Sequence, residues 1–123
     1  MKISEQENWY SLTNIKRSYS NEILADAIAS GKSPWFSGHF PGEPILPGVA
    51  QLGMVFDAIK QACGKNLKIS GVKRVKFKQI IKPGDKIQII ASKKNDNNSL
   101  YTFKVMIDSK IACNGMMTVE IND

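Results

Sequence analysis

The chain has 123 residues, 42% hydrophobic and 23% charged, with 17 basic against 11 acidic side chains and a net charge of +6. That length fits a single domain, 1–123, around one core, and the mixture excludes wholesale disorder and a fibrous chain. No run approaches the roughly 18 apolar residues of a membrane helix, and Met1 to Glu7 is polar where a secretory signal would be greasy, so a cytoplasmic protein is expected.

The first elements are the faintest. Trp9, Tyr10, Leu12 and Ile15 suit a short helix or an edge strand, and Glu22 to Ser30 leans to a strand because Gly31 and Pro34 follow it. Gly31 to Gly48 (GKSPWFSGHFPGEPILPG) is then a dense loop, holding four of the five prolines and four of the nine glycines. It is longer than an ordinary connection, and rigidly held loops are where binding and catalytic side chains concentrate. The sequence's one histidine, His39, lies in it, so one chain cannot build a histidine-rich metal site.

Pro47 and Gly48 open a helix that runs to about Cys63, with proline in the first turn, where a missing N–H costs nothing. Val49, Leu52, Phe56, Ile59 and Cys63 recur at spacings of 3 and 4 as an apolar stripe, widened by Val55, Ala58 and Ala62. Gln51, Lys60 and Gln61 supply polar positions, and Gly64 is placed to end the helix.

The rest is strand grammar with period two. Val75 and Phe77 alternate with Lys76 and Lys78, Lys82 to Asp85 is a turn, and Ile87, Ile89 and Ala91 share a face. Tyr101, Phe103, Val105 and Ile107 then alternate with polar neighbours, and a tight turn leads into Ile111, Cys113, Gly115, Met117, Val119 and Ile121. Met116 falls on the opposite face from Met117. One long helix with an antiparallel sheet implies an α+β fold, the sheet curled over the helix. Cys63 and Cys113 make neither a disulfide framework nor a four-ligand zinc site, and read as buried reduced thiols. Eight basic residues fall between Lys65 and Lys86 with Asp85 the sole acid there, which favours an anionic partner without naming it.

The segment Ser37 to Val49 (SGHFPGEPILPGV) closely resembles the signature of the 3-hydroxyacyl-[acyl-carrier-protein] dehydratases. The likeness continues through Val75-Lys76-Phe77-Lys78 and Ile81-Lys82-Pro83-Gly84-Asp85 and spans about Ser33 to Ile121. It implies the hot-dog fold, an antiparallel sheet wrapped round a central helix. It also implies that His39 is the base that takes the C2 proton of a 3-hydroxyacyl thioester, and that the Gly48 backbone N–H binds the thioester carbonyl. Both roles are physically apt. A neutral imidazole is a competent base near neutral pH, and helix N-terminal amides stabilise growing negative charge. No cofactor is implied, because substrate arrives on the phosphopantetheine arm of acyl carrier protein. Trp35, Phe36, Phe40 and Phe56 become candidates to line an acyl tunnel, or simply to anchor the loop. Lys73, Arg74, Lys76, Lys78 and Lys82 become candidates to meet the acidic carrier, with Lys73 on one strand face and the others mostly on the opposite one.

One position departs from the resemblance. Fourteen residues after the histidine, where those dehydratases carry a glutamate or aspartate, this chain has Gly53. Hydroxide leaves poorly without a proton, and loss of a general acid removes a factor of about 10²–10⁴. Asp57, one turn further along, is the candidate replacement. Gln51 is placed to orient the hydroxyl or a water, and Glu43 is a weaker candidate in the loop. The likeness of PILPGVAQL to relatives in aryl polyene and other specialised lipid pathways keeps dehydration the leading reading, in fatty acid or related lipid synthesis. Acyl thioesterase activity and a non-catalytic carrier-binding subunit are the alternatives. A homodimer, or a heterodimer with a related subunit, is expected, because a chain of this size encloses a deep pocket with difficulty.

Overall fold

The computed structural model describes residues 10–18, 22–29, 46–94 and 97–122. Trp35, Phe36, His39, Phe40 and Glu43 lie outside these residues. Strands β1 (Tyr10–Arg17) and β2 (Glu22–Ala29) precede helix α1 (Gly48–Cys63), and β3 (Leu67–Phe77), β4 (Lys86–Lys94), β5 (Asn97–Ile107) and β6 (Lys110–Ile121) follow it. The sheet runs in the order β1-β2-β4-β5-β6-β3, every neighbouring pair antiparallel.

Period-two patterning decides what the sheet buries. Ile23, Ala25, Ala27 and Ala29 of β2, Ile87, Ile89 and Ala91 of β4, and Tyr101, Phe103, Val105 and Ile107 of β5 all face one core. The helix meets them with Ala50, Gln51, Met54, Val55, Ala58 and Ile59. The alanines on both sides keep the walls thin, which lets the sheet close round α1. Each large aliphatic buried here contributes about 1.5–3 kcal/mol relative to exposure.

The helix begins and ends as the sequence predicts. Pro47 is its N-cap, in extended conformation, without a side-chain cap. Gly64 stops it with φ 66°, a left-handed conformation, and donates its N–H to Lys60 O at 3.0 Å. The faces differ from the expectation. Val49 is 64% exposed, Leu52, Phe56 and Cys63 are only half-buried, and the buried stripe runs through 50, 54 and 58 with 51, 55 and 59. The polar Gln51 thus sits near the centre of the buried face, between Met54, Val55 and Ala58, because 100° per residue places it there.

β3 is longer than the sequence suggests and irregular. Its register against β6 slips between Ile69 and Gly71 and again between Lys73 and Lys76, and Arg74 takes φ 56°. A bulge of this kind re-aims the side chains that follow. Hence Val75 is half-buried while Phe77, expected on the same inner face, is 53% exposed. Opposite the bulge stands Gly115. A Cβ there would lie 3.0 Å from Val75 Cα and 3.1 Å from Phe103 Cζ, so glycine lets β3 press close.

Candidate active site

The site is built at the start of α1. Leu46 N–H donates to Ile81 O at 2.8 Å, tying the incoming loop to the segment after β3. Ala50 and Gln51 N–H both return to Pro47 O, at 3.1 and 3.2 Å. The amide of Gly48 is left without a partner among the described residues, at a helix end whose first N–H groups carry partial positive charge. Phe77 lies over it. A Cβ on residue 48 would overlap Phe77 Cζ and come within 2.8 Å of Cε1, so only glycine admits the ring at this distance. The result is a half-buried glycine at the helix start with an aromatic ring packed on its Cα.

Beneath the entrance, Gln51 Nε2 donates to Leu46 O at 3.2 Å and holds the loop end onto the helix. Its residue is 4% exposed, and Oε1 is buried without a partner among the described residues. Gln51 is thus a buried polar residue of the inner helix face.

Gly53 is exposed, and a Cβ there would meet nothing within 4 Å. A side chain at this position would meet none of the described residues. One turn on, Asp57 is half-buried with both oxygens engaged. Tyr10 Oη donates to Oδ2, and Gln61 Nε2 donates to Oδ1 at 3.0 Å. Tyr10 reaches it from β1, 47 residues away in the chain. Phe56, half-buried, packs against the core beside the open helix face.

The bulge in β3 gathers Arg74, Lys76 and Lys78 with Lys104 of β5 around a groove of about 630 Å³ on the outer sheet face, above Ile90 and Met116. Lys73 and Lys82 do not line it. Met116 therefore faces outward, as expected, while Met117 is fully buried. Lys82 instead places its N–H on Asp85 Oδ2 at 2.8 Å, inside the turn.

The thiols do not join this chemistry. Cys113 is buried, and burial pushes its pKa up to about 11, which removes it as a nucleophile near neutral pH. Cys63, expected buried, is half-exposed at the far end of α1. Among the described residues no cluster of His, Cys, Asp or Glu could hold a metal, and no helix is long and apolar enough to cross a membrane.

Sequence reasoning missed Phe77 as the neighbour of Gly48, Tyr10 as the partner of Asp57, and Lys104 in the basic groove. The first depends on the bulge at Arg74 and the other two on contacts distant in sequence, so neither periodicity nor motif carries a signal for them.

The family model of the ApeI-like dehydratases, described as ApeI dehydratase, matches residues 15–116. The chain belongs to the ApeI-like dehydratase family. It is similar to the 3-hydroxyacyl-[acyl-carrier-protein] dehydratase FabZ of Streptococcus mutans, 32% identical over 112 residues, covering 84% of this chain and 80% of that protein. Among solved structures it resembles the dehydratase heterocomplex ApeI:P from Xenorhabdus doucetiae, with a TM-score of 0.77 and 25% identity over 89% of this chain and 96% of that one. A hypothetical thioesterase with coenzyme A from Streptococcus pneumoniae superposes with a TM-score of 0.68 at 10% identity, over 98% and 91% of the two chains, and shows the shared fold alone. The hot-dog fold expected from the sequence is the fold of this family member.

Proposed function

We propose that the chain dehydrates a 3-hydroxyacyl thioester, presented by acyl carrier protein, to the trans-2-enoyl thioester in fatty acid or related lipid synthesis. The observation that supports this reading is the Gly48 amide: without a partner among the described residues, at the start of α1 beside the Phe77 ring, and following in sequence the loop that holds His39. In this reading the thioester carbonyl accepts a hydrogen bond from Gly48 N–H. Neutral His39 removes the C2 proton, and charge grows on the carbonyl oxygen, where the amide and the helix dipole stabilise it. The C2–C3 double bond forms as the C3–O bond breaks, and the departing oxygen takes a proton and leaves as water. Trp35, Phe36, Phe40 and Phe56 would contact the acyl chain.

For the proton donor we propose Asp57, working with Tyr10. It is the carboxyl group one turn from Gly53, and its bond to the Tyr10 hydroxyl provides a path for the proton. Lys73, Arg74, Lys76, Lys78 and Lys82 are proposed to meet the carrier's acidic surface, with Arg74, Lys76 and Lys78 foremost because they converge on one groove. Assembly as a dimer is part of this reading. β3 is an edge strand whose Ile69, Val72 and Phe77 are exposed beside Val49 of α1, and the solved heterocomplex similar to this chain supports a related subunit as the second member.

A second reading, thioester hydrolysis, is favoured by one feature: both Asp57 oxygens accept hydrogen bonds, a state suited to a base that activates water. Product analysis separates the two, since dehydration keeps the thioester and hydrolysis releases a thiol. Asp57→Asn should lower dehydration by about 10²-fold or more, and Tyr10→Phe by less. Full turnover by Asp57→Asn would remove Asp57 from the mechanism and assign the proton donor to the partner chain.

A further inference from the structure

A second cavity, of about 310 Å³, lies at the opposite end of α1, about 22 Å along the helix axis from Gly48. Arg17 from the end of β1, Lys65 after the helix and Lys93 of β4 line it, with Tyr101 on one wall and the buried side chains of Leu67 and Val119 beneath. None of the three cations makes an ion pair or a hydrogen bond with a described residue. Among the described residues one acid, Glu120, lines the rim; it stands directly across the β3–β6 ladder from Lys68, which sets a further cation against it. Three like charges round one concavity repel each other and concentrate positive potential there. An anion relieves that repulsion.

Tyr101 adds direction. It pairs with Lys93 across the β4–β5 ladder, is 2% exposed, and its hydroxyl meets Cys63 Sγ at 3.5 Å. Sulfur is a weak hydrogen-bond partner. Burial and the Cys63 thiol hold the phenol protonated well above the usual tyrosine range, with Arg17 pulling the other way. The cavity thus presents an O–H donor beside a guanidinium, with apolar surface below.

We propose that this cavity binds a small organic monocarboxylate: the head between Arg17, Lys93 and the Tyr101 hydroxyl, and a short apolar body against Leu67 and Val119. A guanidinium takes a carboxylate in bidentate fashion. The volume stands at the low end of small-molecule sites, about 300–1,000 Å³, so the ligand is a few carbons long. The apolar floor favours a carboxylate with a tail over a bare inorganic anion. This inference does not depend on the proposed catalytic chemistry.

The test titrates hexanoate, hexanol and inorganic phosphate into the full-length chain, with binding followed by calorimetry at low and high salt. Hexanoate should saturate one site and bind at least tenfold tighter than either hexanol or phosphate, weakening as salt rises. Arg17→Gln with Lys93→Gln should lower its affinity at least tenfold. Arg17 is exposed and Lys93 half-exposed, so the double variant should melt close to the parent chain, and Tyr101→Phe gives a separate, smaller loss. Hexanol binding as well as hexanoate, phosphate binding as tightly, or wild-type affinity in the double variant would each overturn the proposal.

Discussion

Cys113 offers a titration signal with one cause, its burial. Burial raises its folded-state pKa to about 11, above its ordinary value of 9.0. Between those values the unfolded chain gives up the proton and the folded chain keeps it, so the unfolded state binds fewer protons and stability falls as pH rises. Below pH 9 the contribution is fully present. Chemical denaturation between pH 9 and 11 should therefore show stability dropping, by at most about 1.4 kcal/mol per pH unit from this group, and Cys113→Ala should flatten the slope despite a lower plateau. An equal slope in the variant would exonerate the thiol. Single residues were also where the sequence spoke least evenly. Gly48 and the absence of an acid at Gly53 were legible from the motif. The inward turn of Gln51 and the Tyr10–Asp57 bond were not, because both depend on which helix face the sheet covers.

At the scale of elements, α1 and β3 together decide the candidate site. The helix span, its proline start and its glycine stop could all be read from sequence, since each is a local preference. Its buried face could not. Val49, Leu52 and Phe56 read as core by spacing, yet Val49 is exposed and Leu52 and Phe56 only half-buried, because which face the sheet covers is set outside the helix. β3 failed for another reason: its alternation breaks at Arg74, and everything beyond is displaced, including the ring that covers Gly48. That contact is testable. Gly48→Ala should fold, because the ring it displaces is half-exposed and can swing aside, but it should lower kcat/KM at least tenfold by disturbing the donor's surroundings. Adding Phe77→Ala to Gly48→Ala should recover stability without recovering the full rate. Wild-type turnover by Gly48→Ala would show that the close approach of Phe77 has no catalytic role.

For the whole molecule, α+β layering and the curled sheet followed from one amphipathic helix and period-two strands, and the motif supplied the family. What the chain alone leaves open is its uncovered side. Val49, Ile69, Val72, Phe77 and Ile80 are large apolar residues exposed on α1, along β3 and just after it, and the proposed dimer would cover them. Light scattering after size-exclusion chromatography should give twice 13.7 kDa or more at micromolar concentration, and Val72→Lys should shift it toward the single-chain mass. A clean single-chain species in the parent would count against a dimer of this chain alone. The most direct measurement of the central claim is the mass of a 3-hydroxyacyl carrier incubated with the wild-type protein and with His39→Ala. The account predicts loss of 18 Da with the thioester intact for the wild type, and a rate lower by about 10²–10⁴ for the variant. Equal conversion by His39→Ala, or release of a free thiol in place of water, would contradict it.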